Sequence, residues 1–174
     1  AVGRYSDADN PVISGGTFSS DVSAFVGDDF ICVPTEDGYA VEIMNADNAV
    51  AKIGDKLYKN LADAITEAKS GEVVTLLKSV EGPGVQVIGS SNRTLTIDLG
   101  GNTYTVINPT VGSAGTETNG FQLLKGSTIT FKNGTLKPGT NAAAILLQNY
   151  SNLTLEDVTV DCRNSQCEYA LSNN

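Results

Sequence analysis

Asp98, Lys132 and Glu156 each follow a similar short pattern, Leu95-Thr96-Ile97, Ile129-Thr130-Phe131 and Leu153-Thr154-Leu155, at separations of 34 and 24 residues. Read as strands stacked about 4.8 Å apart, the pattern sets the three charges in one column and the two carboxylates about 9–10 Å apart. That spacing is near the upper limit for the acid and base of an inverting glycosidase. Lys132 lies between them, neutralises the pair and fills the space a substrate would need, so the trio reads as a surface charge ladder. Asp157 and Asp161 near such positions, with Arg93 and Arg163 at turns, complete the charged candidates. The chain has no histidine, which rules out Ser-His-Asp and Cys-His nucleophiles within it and reduces zinc ligand sets to thiolates and carboxylates. No catalytic residue, metal site or cofactor is nominated.

Binding chemistry has other candidates. Tyr104, Tyr150 and Tyr169 fall at or near expected turns, where an aromatic ring at a strand end can stack on a sugar or simply serve as an amphipathic edge residue. Cys162 and Cys167 flank the polar segment 163–166, and a tight loop there permits an intramolecular disulfide as readily as two reduced core thiols. Cys32 is left over. The formal charge of −9 argues against nucleic acid and anionic membranes, which require basic patches. No run of 18 apolar residues exists, so no membrane insertion is expected.

The elements that position these residues repeat. Adding 24 carries Phe121, Leu123, Ser127, Ile129, Thr130 and Phe131 onto Ile145, Leu147, Ser151, Leu153, Thr154 and Leu155, and a second addition carries Leu147 and Asn149 onto Leu171 and Asn173. Val74-Thr75-Leu76 joins the series 21 residues before Leu95-Thr96-Ile97. A fixed period of this size marks stacked units that bury their apolar faces against one another. Period-two alternation then points Val74, Leu95, Ile129 and Leu153 inward, and Thr75, Thr96, Thr130 and Thr154 outward. Segment 108–117 reads as an inserted loop, and the recurring Asn and Gly residues at 100–102, 133–134, 149 and 152 suit corners. Asn60 can cap a helix near 60–69 with Gly71 as its stop, placed to cover the open end of the stack. Ahead of it, residues 1–47 read as a strand and turn, a short helical turn near Asp21 to Val26, and a hairpin around 34–38. The expected organisation is thus a small segment at 1–47 followed by a repeat domain at 48–174.

Residues 53–65 (IGDKLYKNLADAI) and 71–78 (GEVVTLLK) resemble the entry to right-handed parallel β-helix domains of the pectin-lyase-like superfamily, and more closely those of repetitive surface proteins of gut bacteria. Residues 13–22 (ISGGTFSSDV) resemble the last rung and closing turn of the same kind of domain. The resemblance implies a mostly β right-handed solenoid with an N-terminal capping helix, located outside the cell, on a cell surface or on a phage particle. It implies a non-enzymatic structural or adhesive module with a glycan or surface-protein partner. The alternative it carries is a polysaccharide lyase or glycoside hydrolase, or an inactive remnant of one. A closing piece ahead of an opening helix fits either a fragment of a longer modular protein or head-to-tail self-association.

Overall fold

The computed structural model describes residues 11–89, 92–115, 117–140, 143–163 and 165–174. It is mostly β, in two compact units that part between Ala49 and Val50. In the first unit, the hairpin strands β2 (Phe30–Thr35) and β3 (Gly38–Ile43) are antiparallel, and β1 (Gly16–Phe18) pairs with the other edge of β3. A 3-10 turn at Ser23–Phe25 precedes the hairpin, with the Asp21 carboxylate accepting the Ser23 N–H at 2.8 Å. Val22, Val26 and Val41 form this unit's core.

The second unit opens with an antiparallel hairpin, β4 (Ala51–Ile53) and β5 (Lys56–Tyr58), whose turn is made by Gly54 in the left-handed region, φ +56°. Helix α1 (Leu61–Glu67) follows, with the Asn60 side chain accepting the Asp63 N–H at 2.8 Å. Then come β6 (Val73–Leu76), β7 (Val80–Pro83), β8 (Val85–Val87), β9 (Arg93–Asp98), β10 (Thr103–Asn108), β11 (Phe121–Leu123), β12 (Ser127–Pro138), β13 (Ile145–Asn149), β14 (Asn152–Val160) and β15 (Tyr169–Asn173).

These strands stack in parallel. One row runs β6, β9, β12, β14; a second runs β7, β10 and the distal half of β12, which continues onto β14; a third is a sheet of β8, β11, β13 and β15. The first two rows belong to one curled, open sheet that β4 and β5 make mixed, because β4 pairs antiparallel with β6. That hairpin corrects the sequence expectation of a wholly parallel stack closed by a helix. The first strand's polar edge is satisfied by β4, since a helix has no free backbone groups along its side to offer a ladder. Helix α1 supplies instead the apolar cover, burying Leu61, Ala64 and Ile65, and it ends two residues before the expected position 69.

The spacing of 34 between β9 and β12 and of 24 between β12 and β14, and between β13 and β15, holds in the structure: Leu95 lies beside Ile129, Ile129 beside Leu153, and Leu147 beside Leu171. Two other registers differ by two residues. Val74 lies beside Ile97, at 23 rather than 21, and Phe121 lies beside Leu147, at 26 rather than 24. The second shift arises in the β11–β12 turn, where Leu124, Lys125 and Gly126 (φ +93°) make a longer connection than Tyr150 and Ser151 do between β13 and β14. Both shifts are even, so the facing of every side chain survives.

The inward columns meet in one core, in which Leu76, Leu95, Ile97, Phe121, Leu123, Ile129, Phe131 and Leu136 are fully buried. Its centre is a run of edge-to-face aromatic pairs, Tyr104 on Phe121 at 5.6 Å and Phe121 on Phe131 at 5.4 Å. The corner within β12 and β14 is made by Asn133 (φ +56°) and Asp157 (φ +53°), residue types that tolerate this region.

Candidate functional site

Three solvent-facing features of the second unit gather polar chemistry. The first is the charge column. Asp98 lies beside Lys132 and Lys132 beside Glu156 in the strand registers, and Lys132 Nζ is 3.4 Å from Asp98 Oδ2. Asp98 Oδ1 also accepts the Gly100 N–H at 2.9 Å and the Asn133 amide at 3.1 Å. Partial burial pulls this carboxyl upward, but the hydrogen bonds from Gly100, Asn133 and Lys132 outweigh it and hold the pKa below the ordinary value. An acid catalyst needs the opposite shift. The column is therefore built to keep Asp98 charged and paired.

The second feature is a shallow cleft of about 370 Å³ on β7, β10 and β12, lined by Ser79, Val80, Glu81, Thr103, Thr105 and Lys137. Glu81, Thr105 and Lys137 lie side by side in register. Alternation puts these groups on the face opposite Tyr104 and Val106, although Thr105 is itself buried between its neighbours. Beyond the end of β14, Asp161 is held at about 2 by the side-chain and backbone hydrogen bonds of Arg163, with Lys137 adding its charge. Arg163 reaches both Asp161 oxygens at 2.9 Å and is 82% exposed.

The third feature lies on β14 and β15. Leu153, Leu155 and Leu171 occupy the columns in which Ile129, Phe131 and Leu147 are buried one strand earlier. Leu155 is 37% and Leu171 42% exposed, and with Asn152, Thr154 and Asn173 they line a cleft of about 390 Å³. Among the described residues no strand pairs with the outer edge of either β14 or β15.

The tyrosines separate. Tyr104 is 1% exposed, so it is no sugar platform; its hydroxyl donates to the Pro83 carbonyl at 2.7 Å, and burial raises the phenol pKa far above its usual value. The alternation Thr103-Tyr104-Thr105-Val106 carries its inward position, and Gly82 leaves the space its ring and hydroxyl fill. Tyr169 on β15 is 59% exposed, and Tyr150, in the turn before β14, is partly exposed. Arg93 is not a free turn residue. Its guanidinium donates to the Ile65 and Ala68 carbonyls, each at 2.6 Å, and so closes the C-terminal end of α1. Cys162 and Cys167 have their sulfurs 2.9 Å apart, unbonded, and both pack against the main core.

A side-chain amide row escaped the sequence reading. Gln86 donates to Gln122 at 2.6 Å, and Gln122 and Asn119 donate to Gln148 at 3.0 and 2.9 Å, across β8, β11 and β13. The inserted loop puts Gln122 36 residues after Gln86, and the β11–β12 turn helps set Gln148 26 residues after Gln122, so the row follows no single period. Asn149 likewise donates to Asn173 at 2.6 Å, 24 residues on. Among the described residues, no group of three or more Cys, Asp or Glu is placed to hold a metal ion, and no helix is long and apolar enough to cross a membrane. Comparison with protein-family models, with curated proteins and with solved structures finds no match to this chain.

Proposed function

We propose that residues 50–174 are a right-handed parallel β-helix and that the chain is a structural and adhesive module. It works outside the cell, on the surface of a bacterium or on a phage particle. The observation that carries the reading is the stacking of like columns: three parallel rows in which the same inward positions are buried from strand to strand as far as β12 and β13, while outward side chains such as Asp98 and Lys132 pair with each other. A stack of this kind is stiff because each strand's polar backbone is bonded on both sides. Its outward charges, exemplified by Asp98 and Lys132, are spent on their neighbours and not on a substrate. In this reading the inserted loop at 108–117, Tyr150, Tyr169 and the cleft around Thr105 are what a glycan or surface protein meets. The exposed leucines of β14 and β15 are where a further rung stacks, which makes head-to-tail association of copies part of the proposal.

Two experiments test it. Incubation with a panel of neutral and acidic polysaccharides, with and without calcium, is expected to show retention by at least one of them in affinity electrophoresis and no cleavage. New reducing ends or unsaturated products would overturn the non-enzymatic reading in favour of a carbohydrate-active enzyme. Light scattering on the size-exclusion eluate is expected to show mass rising with concentration, and a monomer at every concentration would remove self-stacking from the proposal.

A further inference from the structure

The last two strands are joined by a connection that carries two of the chain's three cysteines. Its geometry is held by hydrogen bonds from Ser165 and Arg163 as well as by contacts of the sulfurs themselves, Cys167 Sγ lying 3.2 Å from the Tyr169 carbonyl. Ser165 Oγ donates to the Cys162 carbonyl at 2.7 Å and accepts the Cys167 N–H at 3.3 Å, and the Arg163 N–H donates to Asp161 at 3.0 Å. These bonds bring the Cys162 and Cys167 sulfurs to 2.9 Å. A bond length of ~2.05 Å is then less than about 1 Å of movement away. The two side chains sit against the main core and so are partly shielded from solvent.

We propose that Cys162 and Cys167 are a modification site, an intramolecular disulfide that staples β15 to the end of β14. The co-reactant is a small-molecule disulfide such as oxidised glutathione. One cysteine thiolate attacks a sulfur of that disulfide, forming a mixed disulfide and releasing one thiolate, which takes up a proton. The second cysteine loses its proton and attacks the protein sulfur of the mixed disulfide, expelling the other small thiol. Two protein thiols are oxidised, one small disulfide is reduced to two thiols, and no other oxidant is required.

The staple adds a covalent tie to the contacts that hold β15. Among the described residues β15 pairs with β13 alone, and its Leu171 is exposed where the equivalent Leu147 is fully buried. With little side-chain burial in this strand, backbone pairing with β13 and the connection to β14 hold it in place. Burial, the contact with Cys167 and the neighbouring Asp161 push the Cys162 thiol up to about 12, which keeps that thiol protonated in the reduced form.

The test uses the full chain treated with an excess of oxidised glutathione, then intact-mass measurement, alkylation and peptide mapping. The expected result is a loss of two hydrogens, one alkylatable thiol at Cys32, and a linked peptide containing Cys162 and Cys167. Stable glutathione adducts, or three alkylatable thiols, would overturn the proposal. Chymotrypsin cleavage at the exposed Tyr169 reads the staple's effect: it is expected to slow by about tenfold in the oxidised form. A C162S/C167S double variant is expected to be cleaved at the reduced rate whether or not oxidant is present. Equal rates for the oxidised and reduced natural chain would overturn the stapling role, and that comparison stands even if the double variant fails to fold.

Discussion

β12 and β14 are two readings of one sentence. Ile129-Thr130-Phe131-Lys132 and Leu153-Thr154-Leu155-Glu156 pair residue for residue, yet Ile129 and Phe131 are fully buried while Leu155 is 37% exposed. The sequence pattern sets which way a side chain faces, and the neighbour on the far side sets whether water reaches it. β12 has β9 and β10 on one side and β14 on the other; among the described residues β14 has β12 alone. Apolar pattern and apolar burial are thus separate quantities.

The largest expected effect breaks the comparison at its centre. Phe131→Ala removes the ring that packs edge-to-face on Phe121 and should cost about 3–5 kcal/mol through lost burial and the cavity left behind. Leu155→Ala, at the equivalent position, should cost less than about 1 kcal/mol, because the side chain is already partly in water. Urea denaturation of the two variants measures both. Equal losses would mean that Leu155 is covered in solution, which is what self-stacking through β14 requires, so repeating the pair at high and low protein concentration sharpens the result.

The same contrast explains what could be read in advance. The spacings of 34 and 24 are legible because the β9, β12 and β14 patterns differ by no insertion within the strands; of the ten extra residues, six fall in the loop between β10 and β11, two between β9 and β10 and two between β11 and β12. The β6–β9 and β11–β13 registers were misjudged by two because turn length, and not strand pattern, sets them. An error of one would have turned Val74 and Phe121 outward, and alternation forbids it. Tyr104 was placed near a turn because tyrosine is ambiguous in type; only its even position between Thr103 and Thr105 reveals an inward side chain. The β4–β5 hairpin and the Arg93 contacts to Ile65 and Ala68 were not legible, since both depend on which segment closes the first edge of the sheet, a long-range choice that local pattern does not encode. Asp157 reads in the sequence as a surface carboxylate, and the left-handed backbone it shares with Asn133 appears only in the structure.

The two arginines provide a second, smaller break. Arg93→Ala leaves the Ile65 and Ala68 carbonyls without their charged donor at the end of α1, which should cost about 1–2 kcal/mol. Arg163 makes two equally short hydrogen bonds to Asp161 from a side chain 82% exposed, and Arg163→Ala should leave the denaturation midpoint unchanged, since exposed ion pairs contribute little. A destabilising Arg163→Ala would mean that the 161–168 connection is held by this pair more than by Ser165 and the sulfurs.

The smallest expected effect is a pH dependence that separates Asp98 from the rest of the surface. Its folded pKa is depressed, so the unfolded chain binds the proton more readily, near the ordinary value of about 3.9. The contribution is therefore fully present above that value and is lost as pH falls through the lower folded pKa. Solvent screening holds it below about 1 kcal/mol. Subtracting the stability of Asp98→Asn from that of the natural chain between pH 7 and pH 2 isolates it from every other carboxylate. The difference should be flat from pH 7 down to about 4 and decline below that. A difference that instead grew on acidification would mean that the Asp98 carboxyl is raised and protonated on the fold, the state a general acid requires. It would return the column of Asp98, Lys132 and Glu156 from structural pairing to catalysis.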